Sequence, residues 1–237
     1  MSADYSNGLH VALIMDGNGR WARARGRSRV MGHRAGARAA QRTVQAAREA
    51  RVRILTLYAF SSDNWARPPR EVAGLMRLFR VYLFAETGRC VENGIRLSVI
   101  GRRDRLPSAL IGAIESAEAA TAGGRMMDLR IALDYSARDA IMQTAAETAG
   151  KDLSREEFDV QMAKAIHSPT TGEVDLLIRT GGEQRLSDFL LWESAYAELV
   201  FSPCMWPDFG APELASALKE FHSRERRFGG VPEAVAS

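Results

Sequence analysis

The sequence predicts an α/β protein in which helices cover both faces of a mainly parallel sheet of about six strands. Short apolar segments of strand length alternate with helix-forming segments along the 237 residues, which is the pattern of a parallel sheet. Glycine and proline residues mark the turns between these segments. Because no repeat or low-complexity linker divides the chain, we expect one domain over residues 1–237, frayed only at residues 1–8 and 230–237.

Six segments have the length and apolar character of buried strands. The first, residues 10–15, stops at Asp16 and opens into Gly-Asn-Gly-Arg, so a strand followed by a tight loop is expected there. The expected strands are residues 10–15, 54–60, 95–100, 129–133, 174–178 and 199–201. Helices between them would make right-handed crossovers.

Local signals indicate where several helices begin or end. Pro69 suits the first turn of a helix, and Ser154 with Glu157 has the form of a capping box. Alanine and arginine, both good helix formers, dominate the segment that ends near Arg51. The other expected helices are residues 107–122, 136–149, 154–167 and 212–227, with an aromatic-rich helical turn at residues 189–196.

The helix that begins at Pro69 has an unusual apolar pattern. One stripe at three- and four-residue spacing consists of Val72, Leu75, Met76, Phe79, Tyr82 and Leu83. Leu78, Val81 and Phe84 project away from that stripe, so the helix is apolar nearly all round in this part. We therefore expect it to be buried on two sides, either in the centre of the core or with its second face lining an apolar cavity.

The composition excludes several classes of protein. At 46% hydrophobic residues and a net charge of +3, the chain is typical of soluble proteins. We find no apolar run of the roughly 18 residues that a membrane span needs and no signal peptide, so we expect a cytoplasmic protein. Cys90 and Cys204 and the four scattered histidines indicate neither a disulfide scaffold nor a zinc site.

Arginine is concentrated early in the chain. All but three of the 32 basic residues are arginines, and eleven of them lie between Arg20 and Arg53 against a single acid, Glu49. Such a positive region attracts phosphate groups, whether on nucleic acid, a lipid head group or a small diphosphate.

Polar loops rich in glycine and arginine follow the first, second and fifth expected strands. Ligands of open α/β sheets bind at the carboxyl ends of the strands, so the parallel topology would bring these loops to one edge. Their polar residues are Asp16, Gly17, Asn18, Gly19 and Arg20; Ser61, Ser62, Asp63, Asn64 and Arg67; and Arg179, Thr180, Gly181, Gly182, Glu183, Arg185 and Ser187. Taken singly, each is better explained by a turn or a solvated surface charge, whereas jointly they indicate a site for more than one phosphate group.

Other catalytic devices are missing from the sequence. No Ser-His-Asp or Cys-His set, no Gly-Lys-Ser/Thr phosphate loop and no dinucleotide fingerprint is evident. The residues suit electrostatic assistance to a leaving diphosphate better than nucleophilic attack by the protein.

Several ordered segments closely resemble the cis-prenyltransferase family. They are residues 10–21 (HVALIMDGNGRW), 32–36 (GHRAG), 58–68 (YAFSSDNWARP), 175–183 (DLLIRTGGE), 185–192 and 206–209 (WPDF). Their order and spacing match over about residues 9–230. The resemblance implies condensation of isopentenyl diphosphate with an allylic diphosphate of geranyl or farnesyl type, with Z geometry at the new double bond. It also implies Mg²⁺, a homodimer, an apolar tunnel and membrane contact through the product.

The resemblance assigns roles to individual residues. Asp16 would hold the metal and assist ionisation, with Asn64 near the reacting centre. The phosphates of the allylic substrate would be bound by Gly17, Asn18, Gly19, Arg20, Arg29 and Arg67. Further substrate-binding residues would be Trp21, His33, Ser62 and Trp65. Isopentenyl diphosphate would be bound by Arg179, Arg185 and Ser187. Glu198 would be a second metal ligand, acting within its own chain or across the dimer.

Some positions depart from the family pattern. Asp188 stands where many members have Asn, Asp134-Tyr135-Ser136-Ala137 replaces Asn-Tyr-Gly-Gly, and Gln184 occupies a place that is His in some relatives. An added charge at Asp188 would lower the affinity for isopentenyl diphosphate if it faced the phosphates.

Tyr82 and Phe84 align with places on the tunnel helix where long-chain members tend to have smaller or polar side chains. Aromatic rings there would block the tunnel and predict a short or medium product. The alternatives are a long-chain product such as undecaprenyl diphosphate, a non-catalytic partner subunit of the same fold, and a nucleic-acid binder that uses the arginine-rich segment. The last lacks any nucleic-acid-binding signature, so we expect no nucleic-acid partner.

Overall fold

A computed structural model describes residues 8–169 and 172–224. The described residues contain six strands in one sheet, in the order β3-β4-β2-β1-β5-β6, and every pairing between neighbours is parallel. The strands are β1 (His10–Ile14), β2 (Ile54–Ser61), β3 (Ile95–Ile100), β4 (Met127–Tyr135), β5 (Leu176–Arg179) and β6 (Glu198–Phe201). The predicted six-stranded, mainly parallel sheet is confirmed.

Seven α-helices lie in the same described residues, together with short 3₁₀ helices at Ser62–Ala66 and Trp206–Asp208. The helices are α1 (Asn18–Arg23), α2 (Arg29–Glu49), α3 (Pro69–Glu92), α4 (Ser108–Thr121), α5 (Ala137–Glu147), α6 (Arg155–Ala165) and α7 (Ala211–Ser223). The predicted capping box of Ser154 and Glu157 begins α6. Residues 1–7 and 230–237, expected to be frayed, and the expected extension of the last helix over residues 225–227 lie outside the described residues.

The prediction of a helical turn at residues 189–196 is wrong. This segment consists of irregular turns that connect β5 to β6. Ser187, Asp188 and Leu190 have φ values of 50°, 63° and 45°, a left-handed conformation that does not propagate a right-handed helix.

Helices cover both faces of the sheet, and alternate residues of β1 belong to different cores. Val11 and Leu13 pack into a large core with α2, α3, α4 and α7. Ala12 and Ile14 pack into a smaller core with α5, α6 and the segment around Phe189. Because both faces are buried, β1 is apolar at every position after His10.

The expectation that α3 is buried on two sides is wrong. Leu75, Met76 and Leu83 are buried, but Val81 is 61% exposed and Phe84 is 88% exposed. The sheet, α2 and α4 contact one side of α3 and leave the other side open. Among the described residues, none of the helices has the length and apolarity needed to cross a bilayer.

Candidate active site

The loops after β1, β2 and β5 meet at the carboxyl edge of the sheet. β1 lies between β2 and β5, so the three polar loops that the sequence singles out are neighbours. The chain places β2, β3 and β4 on one side of β1 and then crosses to β5 on the other side. A ligand crevice is expected where the strand order reverses in this way.

Asp16 and Arg179 form the centre of this edge. The guanidinium of Arg179 is buried, and its Nη2 donates to Asp16 Oδ2 over 3.0 Å. Thr180 fixes the loop, because its Oγ1 accepts from the Asp16 amide at 2.9 Å and donates to the Asp16 carbonyl at 2.8 Å. Burial would raise the pKa of Asp16, but the Arg179 hydrogen bond and the charges of Arg20 and Arg179 hold it below its usual value. Asp16 is therefore ionised at neutral pH.

Gly17, Asn18 and Gly19 make the turn from β1 into α1. Gly17 has a φ of 107°, and a Cβ there would lie 3.0 Å from the Cβ of Met205, so only glycine fits. The first turn of a helix leaves its N–H groups without partners inside the helix. Asn18 Oδ1 is buried and has no hydrogen-bond partner among the described residues. The turn thus presents polar groups that a ligand could satisfy.

Arg20 lies at the rim of the site. Its guanidinium contacts Asp16 Oδ1 at 3.2 Å and Glu183 Oε1 at 3.3 Å, and about a third of the side chain is exposed. These two acids hold the guanidinium next to the Asp16 carboxylate. A phosphate arriving at the rim would find this donor fork already oriented.

Asn64, Arg67 and His33 lie on the opposite wall of the site. Arg67 Nη1 contacts Glu71 Oε1 at 3.3 Å, and Asn64 Oδ1 accepts from the Ser61 amide at 3.3 Å. Burial lowers the pKa of His33, and the nearby Arg67 lowers it further, so the imidazole is neutral at pH 7. Its Nε2 is buried at 3.7 Å from the Glu71 carboxylate and makes no hydrogen bond within residues 8–169 and 172–224.

Ser187 is held by groups from β5 and β2, the two strands that flank β1. Its Oγ accepts from Arg179 Nη1 at 2.8 Å, and its carbonyl accepts from the Tyr58 hydroxyl at 3.3 Å. Burial raises the pKa of Tyr58 to about 12, so the phenol remains a donor. Arg185 is mostly exposed and pairs with Glu183 at 2.5 Å. The loop after β5 is therefore fixed at Ser187 and open at Arg185.

An apolar cavity of about 410 Å³ begins at these polar groups. Asp16, Asn18, His33, Asn64, Arg67, Arg179, Arg185 and Ser187 line its mouth. Its interior, between the sheet, α2 and α3, is lined mainly by apolar side chains that include Leu57, Leu75, Leu78, Phe79, Tyr82, Leu83, Val99 and Ile131. The molecule thus joins a cationic opening to an apolar interior.

Comparisons with known proteins agree with this arrangement. The family described as putative undecaprenyl diphosphate synthase matches residues 14–229. The chain belongs to this family. It is a cis-prenyltransferase, as the motifs predict.

Curated relatives cover almost the whole enzyme. Isoprenyl transferase 1 of Bradyrhizobium diazoefficiens is 57% identical, over 98% of this chain and 95% of its own length. Ditrans,polycis-undecaprenyl-diphosphate synthase ((2E,6E)-farnesyl-diphosphate specific) of Pseudomonas aeruginosa is 46% identical, over 95% of this chain and 92% of its own length.

A solved structure has the same fold. Lavandulyl diphosphate synthase from Lavandula x intermedia, in complex with dimethylallyl diphosphate, superposes with a TM-score of 0.87 at 33% identity. The match covers 95% of this chain and all of the other.

Not all predicted substrate-binding residues of this prenyltransferase line the cavity. Trp21 is turned away, because its Nε1 donates to Asp208 at 2.7 Å. Trp65 packs against Phe60 and lines a separate surface groove. Ser62 donates to Asp134 at 3.1 Å, and Arg29 is 62% exposed beside Gly19. Trp21, Ser62 and Trp65 therefore support the site rather than face the cavity.

Of the two predicted tunnel residues, one lines the cavity and the other does not. Tyr82 lines the apolar cavity together with Leu78 and Phe79. Phe84 does not reach the cavity, because it lies two residues further along α3 and points to solvent. A role for Phe84 in blocking the tunnel is therefore wrong.

Glu198 lies at the other edge of the sheet. It pairs in register with Leu176, which pairs with Val11, so Asp16 is five residues or about 16 Å further along the strands. Its carboxylate accepts from Arg224 at 2.6 Å. Glu198 therefore cannot share a metal ion with Asp16 of its own chain.

The donor set at Asp16 nevertheless fits Mg²⁺. In residues 8–169 and 172–224, no three His, Cys, Asp or Glu side chains are grouped closely enough to hold a metal ion by themselves. Mg²⁺ is commonly bound through one or two carboxylates together with substrate phosphates. The ionised Asp16 carboxylate, at the mouth of a cationic cavity, is one such ligand.

The departure at Asp188 leaves the cavity unaffected. Its carboxylate accepts from Ser136 Oγ at 2.6 Å and from the Arg138 amide at 3.0 Å, at the amino end of α5. The helix dipole favours a negative charge at this place. Asp188 thus stabilises α5 and holds the adjacent Ser187 instead of facing the phosphates.

Three residues position the site in ways that the sequence did not predict. Tyr58 positions Ser187, Thr180 positions Asp16, and the amide of Trp206 donates to the Asp16 carbonyl at 2.9 Å. Each lies in one of the family motifs, at residues 58–68, 175–183 and 206–209, and these motifs were the available signal. Their contacts span 129 to 190 residues along the chain and could not be inferred from local spacing.

Proposed function

We propose that the enzyme condenses isopentenyl diphosphate with an allylic diphosphate and forms a double bond of Z geometry. One observation carries the proposal: Asp16, Arg67 and Arg179 line the mouth of a single cavity whose interior is apolar. Diphosphates require cationic donors and prenyl chains require apolar walls. This mouth and interior offer both within one cavity.

The two substrates would use different parts of the mouth. The allylic diphosphate would lie against the Gly17-Asn18-Gly19 turn, Arg20, Arg29, His33 and Arg67, with Asn64 near the reacting centre. Isopentenyl diphosphate would be bound by Arg179, Arg185 and Ser187. Arg179 contacts both Asp16 and Ser187, so it would link the two positions.

The residues at the mouth suit ionisation of the allylic substrate. Guanidinium groups already oriented by Asp16, Glu71 and Glu183 would meet the charge that develops on the leaving diphosphate. The apolar walls would keep water from the allylic cation until the alkene of isopentenyl diphosphate attacks it. A proton is then lost from the condensed product.

Asp16 would hold Mg²⁺ together with substrate phosphates. The ion, when bound, would neutralise part of the diphosphate charge and assist its departure. We propose that Glu198 reaches the site only from a second copy of the chain, because within one chain it lies at the opposite edge. This assignment requires the homodimer that the motifs imply.

Tyr82 and the cavity volume support a short or medium product of a few isoprene units. A volume of about 410 Å³ lies at the lower end of the range for small-molecule pockets, roughly 300 to 1,000 Å³. The relative from Pseudomonas aeruginosa, an undecaprenyl-diphosphate synthase, makes a long-chain product the alternative. A non-catalytic partner subunit is disfavoured because Asp16 and the motif arginines are all present.

Turnover of defined substrates tests the reaction. The purified enzyme would be incubated with Mg²⁺, labelled isopentenyl diphosphate and, separately, dimethylallyl, geranyl and farnesyl diphosphate. Mass spectrometry of the dephosphorylated products gives their chain length. Nuclear magnetic resonance gives the geometry of their double bonds. Incorporation of only a few isoprene units is expected. No incorporation with any starter would contradict the proposed reaction, and a long chain would contradict only the product length.

Tyr82→Ala tests whether this ring limits the product. Removing the ring extends the apolar cavity, so we expect products longer by at least about one isoprene unit. Phe84→Ala is the matched control, since it removes an aromatic ring two residues further along the same helix, on its solvent side. Unchanged product length in Tyr82→Ala, or equal lengthening in both variants, would contradict the assignment.

A further inference from the structure

The side of α3 that faces solvent carries large apolar side chains. Phe84 and Val81 are mostly exposed, and Val91 is 52% exposed. Arg77 and Arg80 precede Phe84 by seven and four residues, and Val91 follows it by seven, so these side chains share one helical face. We call this set, Arg77, Arg80, Val81, Phe84 and Val91, the outer face of α3.

The charge on this face is uncompensated. Arg77 and Arg80 form no ion pair within the part of the chain that the structure describes. Of the acids of α3, Glu71 and Glu86 point to other sides, where they pair with Arg67 and Arg89. Glu92, the last residue of the helix, lies about 80° around the axis from Phe84. The outer face therefore combines cations with apolar side chains and lacks carboxylates.

A groove extends this surface toward α4. Its volume is about 770 Å³, and Arg77, Arg80 and Arg105 lie along it. The remaining lining is mainly apolar and includes Trp65, Val72, Met76, Leu106 and Leu110. Arg77 and Arg80 thus belong both to the outer face of α3 and to the lining of this groove.

We infer that the outer face of α3 docks onto a membrane surface that contains anionic phospholipid. Guanidinium groups of Arg77 and Arg80 bind head-group phosphates, while Phe84, Val81 and Val91 enter the boundary of the acyl chains. Helices that bind a bilayer surface do so through buried apolar area together with electrostatic attraction to anionic lipid, and the outer face of α3 offers both. The helix is part of the folded domain and rests on the membrane without crossing it.

Charge and polarity together favour lipid over other partners. A nucleic acid would satisfy the two arginines but would leave Val81 and Val91 without apolar contacts. An anionic bilayer satisfies both groups, and each basic residue near its surface adds to binding. The inner side of α3 lines the apolar cavity through Leu78, Phe79 and Tyr82. Docking would therefore place the proposed prenyl product one helix away from lipid, although the docking itself does not depend on the proposed reaction.

Co-sedimentation with vesicles tests the inference. The full chain would be mixed with vesicles of phosphatidylglycerol and phosphatidylcholine, or of phosphatidylcholine alone. We expect binding to the anionic vesicles that weakens at high salt. The double variant R77Q/R80Q should bind about 25-fold more weakly, at about fivefold for each arginine, and Phe84→Ser about tenfold more weakly. All three side chains are exposed, so circular dichroism should show an intact fold.

Matched variants on another surface complete the test. K151Q/R155Q removes two exposed cations near α6, and Met142→Ser removes an apolar side chain that is 71% exposed on α5. Neither should change vesicle binding. Binding unaffected by the α3 variants, equal loss in the control variants, or retention on single-stranded DNA without vesicle binding would each overturn the inference. Turnover with a soluble allylic substrate is measured separately, so failure of the reaction and failure of docking are distinguished.

Discussion

His10 and Asp16 lie near opposite ends of the same strand, β1, and their surroundings differ. Both ring nitrogens of His10 have partners, the Glu173 carbonyl at 3.0 Å and Thr56 Oγ1 at 2.8 Å. Around Asp16, by contrast, Asn18 Oδ1 and Arg179 Nε are buried and have no hydrogen bond to any residue in the described part of the chain. Buried polar atoms without partners are rare in folded proteins and indicate a place where a ligand completes the bonding.

The comparison separates structural polar groups from functional ones. At the amino edge of the sheet, contacts within the protein satisfy the polar groups of His10. At the carboxyl edge, polar groups surround an opening. We therefore expect substitutions around Asp16 to affect turnover and substitution of His10 to affect stability.

The largest expected effect is at Asp16. Asp16→Asn keeps the shape of the side chain but removes the charge that would hold Mg²⁺, so turnover should fall by roughly a hundredfold or more with the fold intact. Steady-state kinetics with saturating Mg²⁺ measures this. Asp104→Asn, which alters an exposed carboxylate paired with Arg102, is the control and should leave turnover nearly unchanged. Near-normal turnover in Asp16→Asn would show that the metal is held elsewhere.

Mixing two variants would sharpen the assignment of Glu198. If this carboxylate acts from a second copy, Asp16→Asn and Glu198→Gln homodimers are each impaired. Mixed dimers then contain one site in which both residues are intact, so co-refolded chains should regain about a quarter of the normal activity. Absence of recovery, with mixed dimers confirmed by mass spectrometry, would reject the contribution across the dimer.

Arg179→Gln should have a smaller, selective effect. Loss of the charged hydrogen bond should weaken the binding of isopentenyl diphosphate by about 1.5 to 3 kcal/mol, as read from its KM. The substitution also removes the group that lowers the pKa of Asp16, while burial still raises it. The acid limb of the pH profile of kcat/KM should therefore move to higher pH. Equal weakening of the binding of both substrates would contradict the division of the cavity mouth between them. Arg125→Gln at the surface is the control.

The smallest effect is expected at the amino edge and concerns stability. Burial, with a contribution from Arg130, lowers the pKa of His10 to about 3. The unfolded chain, with a pKa of about 6.5, therefore takes up a proton that the native protein does not, and stability falls as the pH drops through this window. Between about pH 7 and about pH 5, this lowers the free energy of unfolding by about 2 kcal/mol.

His10→Gln should reduce that pH dependence, as measured by urea unfolding at the two pH values. Turnover per folded molecule should stay close to normal, because His10 lies away from the cavity. A variant as acid-sensitive as the parent would show that other groups dominate the titration.

The sequence was sufficient to predict the sheet and the polar residues at the mouth of the cavity. Asp16, Arg67 and Arg179 could be brought together because strand order and strand ends follow from the pattern of apolar segments and helices. Side-chain direction could not be inferred in the same way. Trp21 belongs to the same motif as Asp16, yet its indole is fixed by Asp208, 187 residues away.

Phe84 illustrates a second limit. An all-round apolar segment predicts burial, but no local signal shows which side of a helix its neighbours will cover. The sheet, α2 and α4 were sufficient to cover only one side of α3. The product-length prediction therefore depends on Tyr82 alone, and the outer face of α3 became visible only in three dimensions.

The position of β1 between β2 and β5 also affects how the protein is made. Asp16 is synthesised 163 residues before its partner Arg179. At roughly 5 to 20 residues per second, synthesis of that interval takes about 10 to 30 seconds. During this time the apolar edge of β1 that will pair with β5 has no partner, and such edges are prone to aggregation. The nascent chain therefore depends on chaperones or on rapid packing of its first helices until the last third of the protein arrives.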